Sequence, residues 1–293
     1  MRNHGLFDSL GLWRAVATAA ALVVAAPAAA QQRPLVTQDA EVIGAGQVLF
    51  EAGFDYGADV RYPASGLRGN LTRVPLLGIS IGIGPIAELQ ITGGPYNRLA
   101  ITSRSPAPLS GLLEVPADAS STSDVDDLVI GTKVRLVGET ARRPAVGILI
   151  ATRLPNAGNE SGLGLDTTDV YASLLMAKTT RSVRFAGNLG LGILADPTSG
   201  NQQNDVVTYG VSMARALGAG LDAVGELNGR LNTRSGEPPV GTESRGALRA
   251  GLRFTRGAGR VDAGLIVGLT SRDPSLGFTA GFTFVFRAFD PSN

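Results

Sequence analysis

The chain has 293 residues, of which 39 are glycine and 17% are charged, and its 26 Lys and Arg balance 25 Asp and Glu. The basic residues are dispersed rather than clustered, which argues against a nucleic acid partner. Abundant glycine with few charges is typical of a sequence in which small residues and apolar faces alternate, and the length suits a single domain.

The first thirty residues have the pattern of an export signal. Arg2 and Arg14 flank a short basic region, Ala15 to Ala26 are mostly apolar, and Ala28 to Ala30 precede Gln31. The apolar run is shorter than the ~20 residues that a spanning helix needs, which disfavours an N-terminal membrane anchor. We expect residues 1–30 to be a signal peptide that is cleaved after Ala30.

Loss of the signal peptide would remove the residues that most enzymes use. His4 and Trp13 are the only histidine and tryptophan in the sequence, which also has no cysteine. The common hydrolase and metalloenzyme mechanisms then lack their nucleophiles, bases and ligands. We therefore expect no enzyme activity, no catalytic residue, no cofactor and no metal site.

Residues 31–45 form a leader between the expected cleavage site and the first extended segment. If the segments that follow close into a barrel, two interpretations of this leader are open. It enters the interior as a plug, because a wide barrel needs its lumen filled or gated, or it is a disordered periplasmic segment.

From residue 46 onwards, apolar and polar side chains alternate with period two in segments of about ten residues. In the first segment, Val48, Phe50 and Phe54 share one face, whereas Glu51 and Asp55 share the other. A helix would need a period of 3.6, which these segments lack. The pattern predicts twelve strands, at 46–57, 74–83, 86–94, 125–137, 144–154, 167–177, 183–194, 205–215, 220–231, 244–254, 261–269 and 276–286.

An even number of amphipathic strands is typical of bacterial transmembrane β-barrels. The connections alternate between long segments, such as 58–73 and 95–124, and short ones, such as Gly84–Pro85 and 138–143. This alternation fits long outer loops and short periplasmic turns. We expect an all-β protein, a transmembrane antiparallel up-and-down barrel over 46–286, followed by a tail over 287–293.

A soluble β-sandwich and a secreted calyx-type barrel also show period-two alternation, and either would be the alternative. A soluble core should be rich in large Phe and Leu side chains. Here many positions on the apolar track are small, among them Ala172, Gly187, Gly225 and Ala250. A lipid-facing wall tolerates that lack of bulk, so the composition favours the membrane barrel.

Charged side chains gather on the track opposite the apolar one, which in a barrel faces the lumen. A Lys or Arg that faces lipid at mid-depth costs about 2–4 kcal/mol, which explains such sorting. The lumen-lining candidates are Glu51, Asp55, Glu88, Asp127, Lys133, Arg135, Arg153, Asp169, Arg184, Glu226, Arg230, Arg245, Arg249, Arg253 and Asp262.

Three of these candidates form a basic ladder on one predicted strand, namely Arg245, Arg249 and Arg253. One interpretation is a line of contacts for anionic substrates. The other is pairing with acidic residues of the adjacent strands, which are Asp222, Glu226 and Asp262. Cross-strand pairing is the more usual role and is the favoured interpretation.

Two segments resemble a known family of outer-membrane transporters linked to the meta-pathway of phenol degradation. Ser123–Leu136 (SDVDDLVIGTKVRL) is similar to that family's Asp-x-x-x-Gly-x-Lys strand. Arg153–Pro155, followed by Gly162–Gly164 and Asp169, is similar to its Lys-Leu-Pro strand end, glycine-rich loop and next strand. Further segments that fit its later strands are Phe185–Gly190 and Gly225–Leu227. Arg153 stands where the family usually has Lys.

The resemblance implies an outer-membrane barrel that admits hydrophobic, often aromatic, compounds. We therefore expect passive or facilitated uptake of small molecules across the outer membrane of a Gram-negative bacterium, through the lumen or a lateral gap. The alternative is a closed structural or adhesive surface barrel that acts through its extracellular loops. Expected partners are outer-membrane lipid and lipopolysaccharide, the barrel assembly machinery and a small-molecule substrate.

Overall fold

One antiparallel sheet contains all the strands in the computed structural model, which describes residues 33–290. The expected signal peptide and the last tail residues, 291–293, lie outside the described residues. No helix within 33–290 is long and apolar enough to cross a membrane. The strands are β1 (Gln47–Tyr62), β2 (Leu67–Gly82), β3 (Ala87–Gly93), β4 (Asn97–Arg104), β5 (Ser121–Asp124), β6 (Leu128–Val137), β7 (Ala145–Leu154), β8 (Asp169–Thr180), β9 (Val183–Ala195), β10 (Gln203–Gly218), β11 (Leu221–Asn232), β12 (Arg245–Arg256), β13 (Gly259–Gly268) and β14 (Leu276–Arg287).

The sheet closes on itself because β1 pairs with both β2 and β14. β3 and β4 are consecutive parts of one strand, since both pair with β2, and β5 and β6 continue each other in the same way. Fourteen segments less these two continuations give twelve strands around the barrel. Closure satisfies the backbone groups that a sheet edge would leave bare in lipid. The prediction of a twelve-stranded up-and-down barrel is confirmed.

The two interrupted strands are neighbours, and their interruptions lie side by side. Residues 94–96 separate β3 from β4, and residues 125–127 separate β5 from β6. Pro95 has no N–H group to donate to a ladder. One backbone hydrogen bond bridges the interruption, from Asp126 N to Gly94 O at 2.7 Å. We call residues 94–96 and 125–127 the wall break.

The connections differ from the prediction at the end of the barrel that carries the long loops, which we call the loop end. Residues 58–73, predicted to be a loop, are mostly strand, and β1 and β2 meet in a tight turn at 63–66. β4 and β5 likewise lie within the predicted loop 95–124. Alternation fails as a signal here because polar side chains occur on both faces: Arg68 of β2 pairs with Asp59 of β1 at 2.7 Å.

At the opposite, turn end, three of the hairpins are shorter than predicted. β8 and β9, β10 and β11, and β12 and β13 are each joined by two residues, at 181–182, 219–220 and 257–258. Two-residue hairpins need positive φ angles. Arg181 and Ala219 have φ of 55° and 50° despite their side chains, and Gly257 has φ of 61°.

Large apolar side chains cover the outside of the barrel. Leu189, Leu191 and Val211 are each about 60% exposed, as expected for a surface whose solvent is lipid. Two charged residues, Asp205 and Arg215, are exposed on the same track of β10 as Val211. Both lie near the ends of that strand, where a charge costs only about 0–1 kcal/mol because the membrane interface is close.

Candidate functional site

The charged residues predicted to line the lumen are all buried or half-buried. Glu88, Lys133 and Asp169 are at most 1% exposed, although each has an ionisable side chain. Such burial requires ionic or hydrogen-bonding partners. These partners come partly from neighbouring strands and partly from the leader.

The leader, residues 33–45, lies inside the barrel, and its C-terminal half is fixed near the turn end. Ile43 N donates to Glu88 Oε2 at 2.7 Å. Glu41 pairs with Arg135 of β6 at 2.5 Å, and Asp39 accepts a hydrogen bond of 2.6 Å from Arg184 of β9. This part of the leader is therefore held by strands on two sides of the lumen.

The N-terminal half of the leader continues across the interior to the opposite wall. Gln38 and Asn188 of β9 exchange two hydrogen bonds, of 2.6 and 2.7 Å. Glu226 of β11 accepts the N–H groups of Val36 and Thr37, at 2.9 and 2.5 Å. Arg33 donates to Thr279 Oγ1 and Ala280 O of β14. The leader thus contacts strands from β3 to β14 in order around the wall.

Glycines on the inward track make room for the leader. A Cβ atom at Gly210 would lie 2.6 Å from Thr37 Oγ1, and one at Gly281 would lie 2.5 Å from Arg33 Nε. At Gly147 and Gly264 the nearest leader atoms would be Ala40 O at 3.2 Å and Pro34 Cγ at 3.3 Å. We call these four glycines the glycine seat. No sequence pattern distinguishes them, because glycine is common throughout the chain.

Glu88 and Lys133 form an ion pair at 3.0 Å that joins the wall to the leader. Lys133 is the lysine of the Asp-x-x-x-Gly-x-Lys segment. Glu88 also accepts hydrogen bonds from Ile43 N and the Gln90 amide, each at 2.7 Å. These additional hydrogen bonds offset the cost of burying both charges.

Arg153 joins the two segments that resemble the known family. Its Nη1 lies 2.6 Å from Asp127 and its Nη2 lies 2.5 Å from Asp169. Asp127 also accepts the N–H groups of Asn156 and Ala157, both at 3.0 Å. The arginine thereby fixes the start of the β7–β8 loop. Within residues 33–290, no group of acidic side chains is arranged to hold a metal ion.

Glu139, in the turn between β6 and β7, connects the leader to the turn end, because its N–H group donates to Glu41 Oε1 of the leader at 3.3 Å. It accepts hydrogen bonds from Thr179 N at 2.7 Å and Arg184 at 2.9 Å, and it lies 3.3 Å from Lys178. Partial burial raises the pKa of Glu139, but these hydrogen bonds and the Arg184 charge outweigh burial and hold the pKa below its ordinary value of 4.5.

A cavity of about 610 Å³ lies on the loop-end side of the leader. Residues 33–36 form its floor. Its wall is mixed, with apolar side chains beside charged ones, and it extends to the wall break at Gly93, Asn97 and Asp126. Other side chains that line the cavity are those of Leu71, Arg73, Leu76, Val129, Arg153, Leu163, Arg245 and Arg249.

The basic ladder is only partly neutralised by the adjacent strands. Arg249 lies 3.6 Å from Glu226, and Arg253 lies 3.7 Å from Asp222. Arg245 has no acidic partner within 4.0 Å in the part of the chain that the structure describes. It stands directly opposite Arg230 of β11, which donates to the backbone oxygens of Gly241 and Glu243.

No sequence pattern predicted the leader residues that pair with the wall, above all Asp39 and Glu41. The only signal was an excess of basic residues, including Arg135 and Arg184, near the turn ends of their strands. Asn188 was also missed, because a lone amide on an inward track has no distinctive pattern.

A closed barrel with an apolar outer surface and a polar, occupied interior is the fold of an outer-membrane β-barrel protein. The family model described as "putative MetA-pathway of phenol degradation" matches residues 31–287, and the chain belongs to that family. The resemblance inferred from short motifs is therefore confirmed. No curated protein matches the chain in a sequence comparison.

Solved structures share the fold at low sequence identity. An outer membrane channel from Pseudomonas putida F1 superposes with a TM-score of 0.59 at 14% identity, over 85% of this chain and 98% of that one. The NanC porin gives a TM-score of 0.50 at 9% identity, over 81% of this chain and 98% of that one. At such identities the similarity concerns the architecture of the barrel.

Proposed function

We propose that this protein is an outer-membrane channel for passive or facilitated uptake of small hydrophobic or aromatic molecules in a Gram-negative bacterium. The observation that carries the proposal is the cavity of about 610 Å³ in the loop-end half of the barrel. Its size is typical of a small-molecule site, and Leu71, Leu76 and Leu163 give it apolar surface. Family membership and the structural likeness to a channel support the same function.

In this proposal the leader is a plug that closes the straight path to the turn end. Its contacts with the wall are side-chain hydrogen bonds and ion pairs, such as those of Glu226 and Arg184. They are separate from the β-ladders that build the wall. The leader can therefore leave the lumen while every strand pair stays intact.

The wall break provides the second route, a lateral one between the cavity and the lipid. Asp126 and Gly93 line the cavity and lie in or beside the wall break. Because few backbone hydrogen bonds cross it, opening there costs less than opening a complete ladder. An apolar solute that prefers lipid to water would gain from such a route.

Uptake measurements test the proposal. We expect lipid vesicles that contain the protein to take up labelled toluene faster than protein-free vesicles, and a deletion strain to take up toluene more slowly than its parent. Absence of ion conductance in planar bilayers, together with normal toluene uptake in the deletion strain, would contradict the proposal. It would favour a closed surface barrel that acts through its loops.

A further inference from the structure

We propose that Arg245, with Arg73 and Arg249, binds the carboxylate of a small amphipathic acid in the cavity above the leader. The site deepens the proposed function, on which it rests, because it adds a substrate class to the hydrophobic molecules considered so far.

Arg245 is the centre of the site because no carboxylate lies within 4.0 Å of it in the described part of the chain. Its direct cross-strand neighbour is Arg230, and like charges in directly opposed positions are destabilising. Arg230 is satisfied by backbone oxygens, which carry no full charge. The Nε atom of Arg245 is buried and has no hydrogen-bond partner in the structure.

The carboxylates nearest to the site pair with the neighbouring arginines and not with Arg245. Arg73 pairs with Asp55 at 3.0 Å, and Arg249 lies 3.6 Å from Glu226. Glu226 already accepts three other hydrogen bonds, two from the leader backbone and one from Asn228. Of the four arginines Arg73, Arg230, Arg245 and Arg249, the first and the last thus lie within 4.0 Å of a carboxylate, whereas Arg230 and Arg245 do not in the part of the chain that the structure describes.

The other acidic residues that line the cavity are engaged elsewhere. Asp127 pairs with Arg153 at 2.6 Å, Asp126 accepts a hydrogen bond from Asn97 at 2.6 Å, and Glu51 accepts one from Thr283 at 3.1 Å. None of these three carboxylates lies within 4.0 Å of a basic group of Arg245 in the described part of the chain. An incoming anion would therefore meet little competition at Arg245.

The geometry favours a carboxylate attached to an apolar body. A guanidinium group presents paired N–H donors that match the two oxygens of a carboxylate, and the Nε atoms of Arg73, Arg245 and Arg249 are all buried without partners. A second cavity of about 320 Å³ shares Tyr62, Leu71 and all three arginines with the first. Leucine side chains beside the arginines provide contacts that an inorganic anion cannot use.

Calorimetric titration of the purified full-length protein in detergent tests this assignment. Benzoate is the probe, benzyl alcohol is its neutral analogue, and inorganic phosphate is the purely ionic comparison. We expect saturable benzoate binding that Arg245→Gln weakens by about tenfold or more, which corresponds to about 1.4 kcal/mol. Arg234→Gln, which removes an exposed positive charge outside the cavity, is the matched control and should leave binding unchanged.

Three results would overturn the assignment. They are equal benzoate affinity in the wild type and Arg245→Gln, benzyl alcohol binding as tightly as benzoate, and phosphate binding as tightly as benzoate. Failure of the anion site can be distinguished from failure of the proposed uptake function. A wild-type protein that binds benzoate through Arg245 but transports no toluene would refute hydrophobic uptake and leave the anion site in place.

Discussion

Arg153 shows how one side chain connects distant parts of the chain. It contacts Asp127, just before β6, and Asp169, the first residue of β8, and both carboxylates are well buried. Asp127 in turn holds the backbone of the β7–β8 loop. The arginine of the Arg153–Pro155 motif is therefore explained by a physical requirement, because it neutralises two carboxylates at one point.

Replacing Arg153 tests this requirement. Arg153→Leu leaves two buried carboxylates without a counter-charge, so we expect the free energy of unfolding to fall by about 2 kcal/mol. Arg153→Lys keeps the charge but not the bidentate geometry and should lose less. Urea titrations of the protein in lipid vesicles measure both. Equal losses in the two variants would show that charge is not what matters at this position.

The lowered pKa of Glu139 predicts that the stability of the protein depends on pH. Its pKa is held below 4.5 in the folded protein, so its contribution to stability is present above pH 4.5 and is lost as the pH falls through the folded-state pKa. We expect the stability difference between the wild type and Glu139→Gln to shrink as the pH is lowered from 7 to 3. A difference that stays constant over this range would contradict the interpretation. Unfolding midpoints at several pH values provide the measurement.

At the scale of elements, the leader depends on the glycine seat. Gly210→Val places side-chain atoms where Thr37 lies, so we expect the leader to leave the lumen while the barrel remains folded. Gly187→Val, on the outward track of β9, is the matched control, because the nearest atom to its Cβ position is 3.9 Å away.

The absence of cysteine from the sequence makes the readout simple. Thr37, which is 5% exposed, is replaced by Cys in the Gly210→Val and Gly187→Val variants. The rate at which a maleimide labels this cysteine is then measured in each variant. Labelling should be slow in the Gly187→Val background and fast with Gly210→Val. Slow labelling in both would show that the leader does not rely on the space at Gly210.

Most of the strands were predictable from sequence, and a plug was one of two interpretations of the leader, but the contacts of the leader were not predictable. Period-two alternation identifies a strand wherever one face meets lipid and the other the lumen, as along β7 and β12. It fails where both faces meet water, as between residues 58 and 73. The leader contacts are formed by residues far apart in the chain: Val36 and Glu226 are 190 positions apart. No local pattern encodes such a pairing.

At the scale of the whole molecule, a membrane barrel predicts that the cost of an outward charge depends on its depth. Leu265, near the middle of β13, and Leu231, near the loop end of β11, are 55% and 51% exposed. We expect Leu265→Arg to lower folding stability by about 2–4 kcal/mol and Leu231→Arg by about 0–1 kcal/mol.

Folding into lipid vesicles is scored by gel migration of unboiled and boiled samples. The unboiled wild type should migrate differently from the boiled sample, because a closed barrel resists denaturation by detergent. Equal costs for the two arginine variants would argue that the outer surface does not meet a bilayer.

The position of the leader in the chain also constrains the order of assembly. It precedes every strand, yet its partners are distributed up to β14, which includes Thr279 and is the last strand to be synthesised. A nascent barrel that lacks its final strand keeps the ion pair of Arg33 with Asp262 of β13 but lacks the two hydrogen bonds that Arg33 donates to β14. The full set of leader contacts is therefore complete only once the first and last strands have joined, so the finished wall and the fully anchored leader require the same closing step.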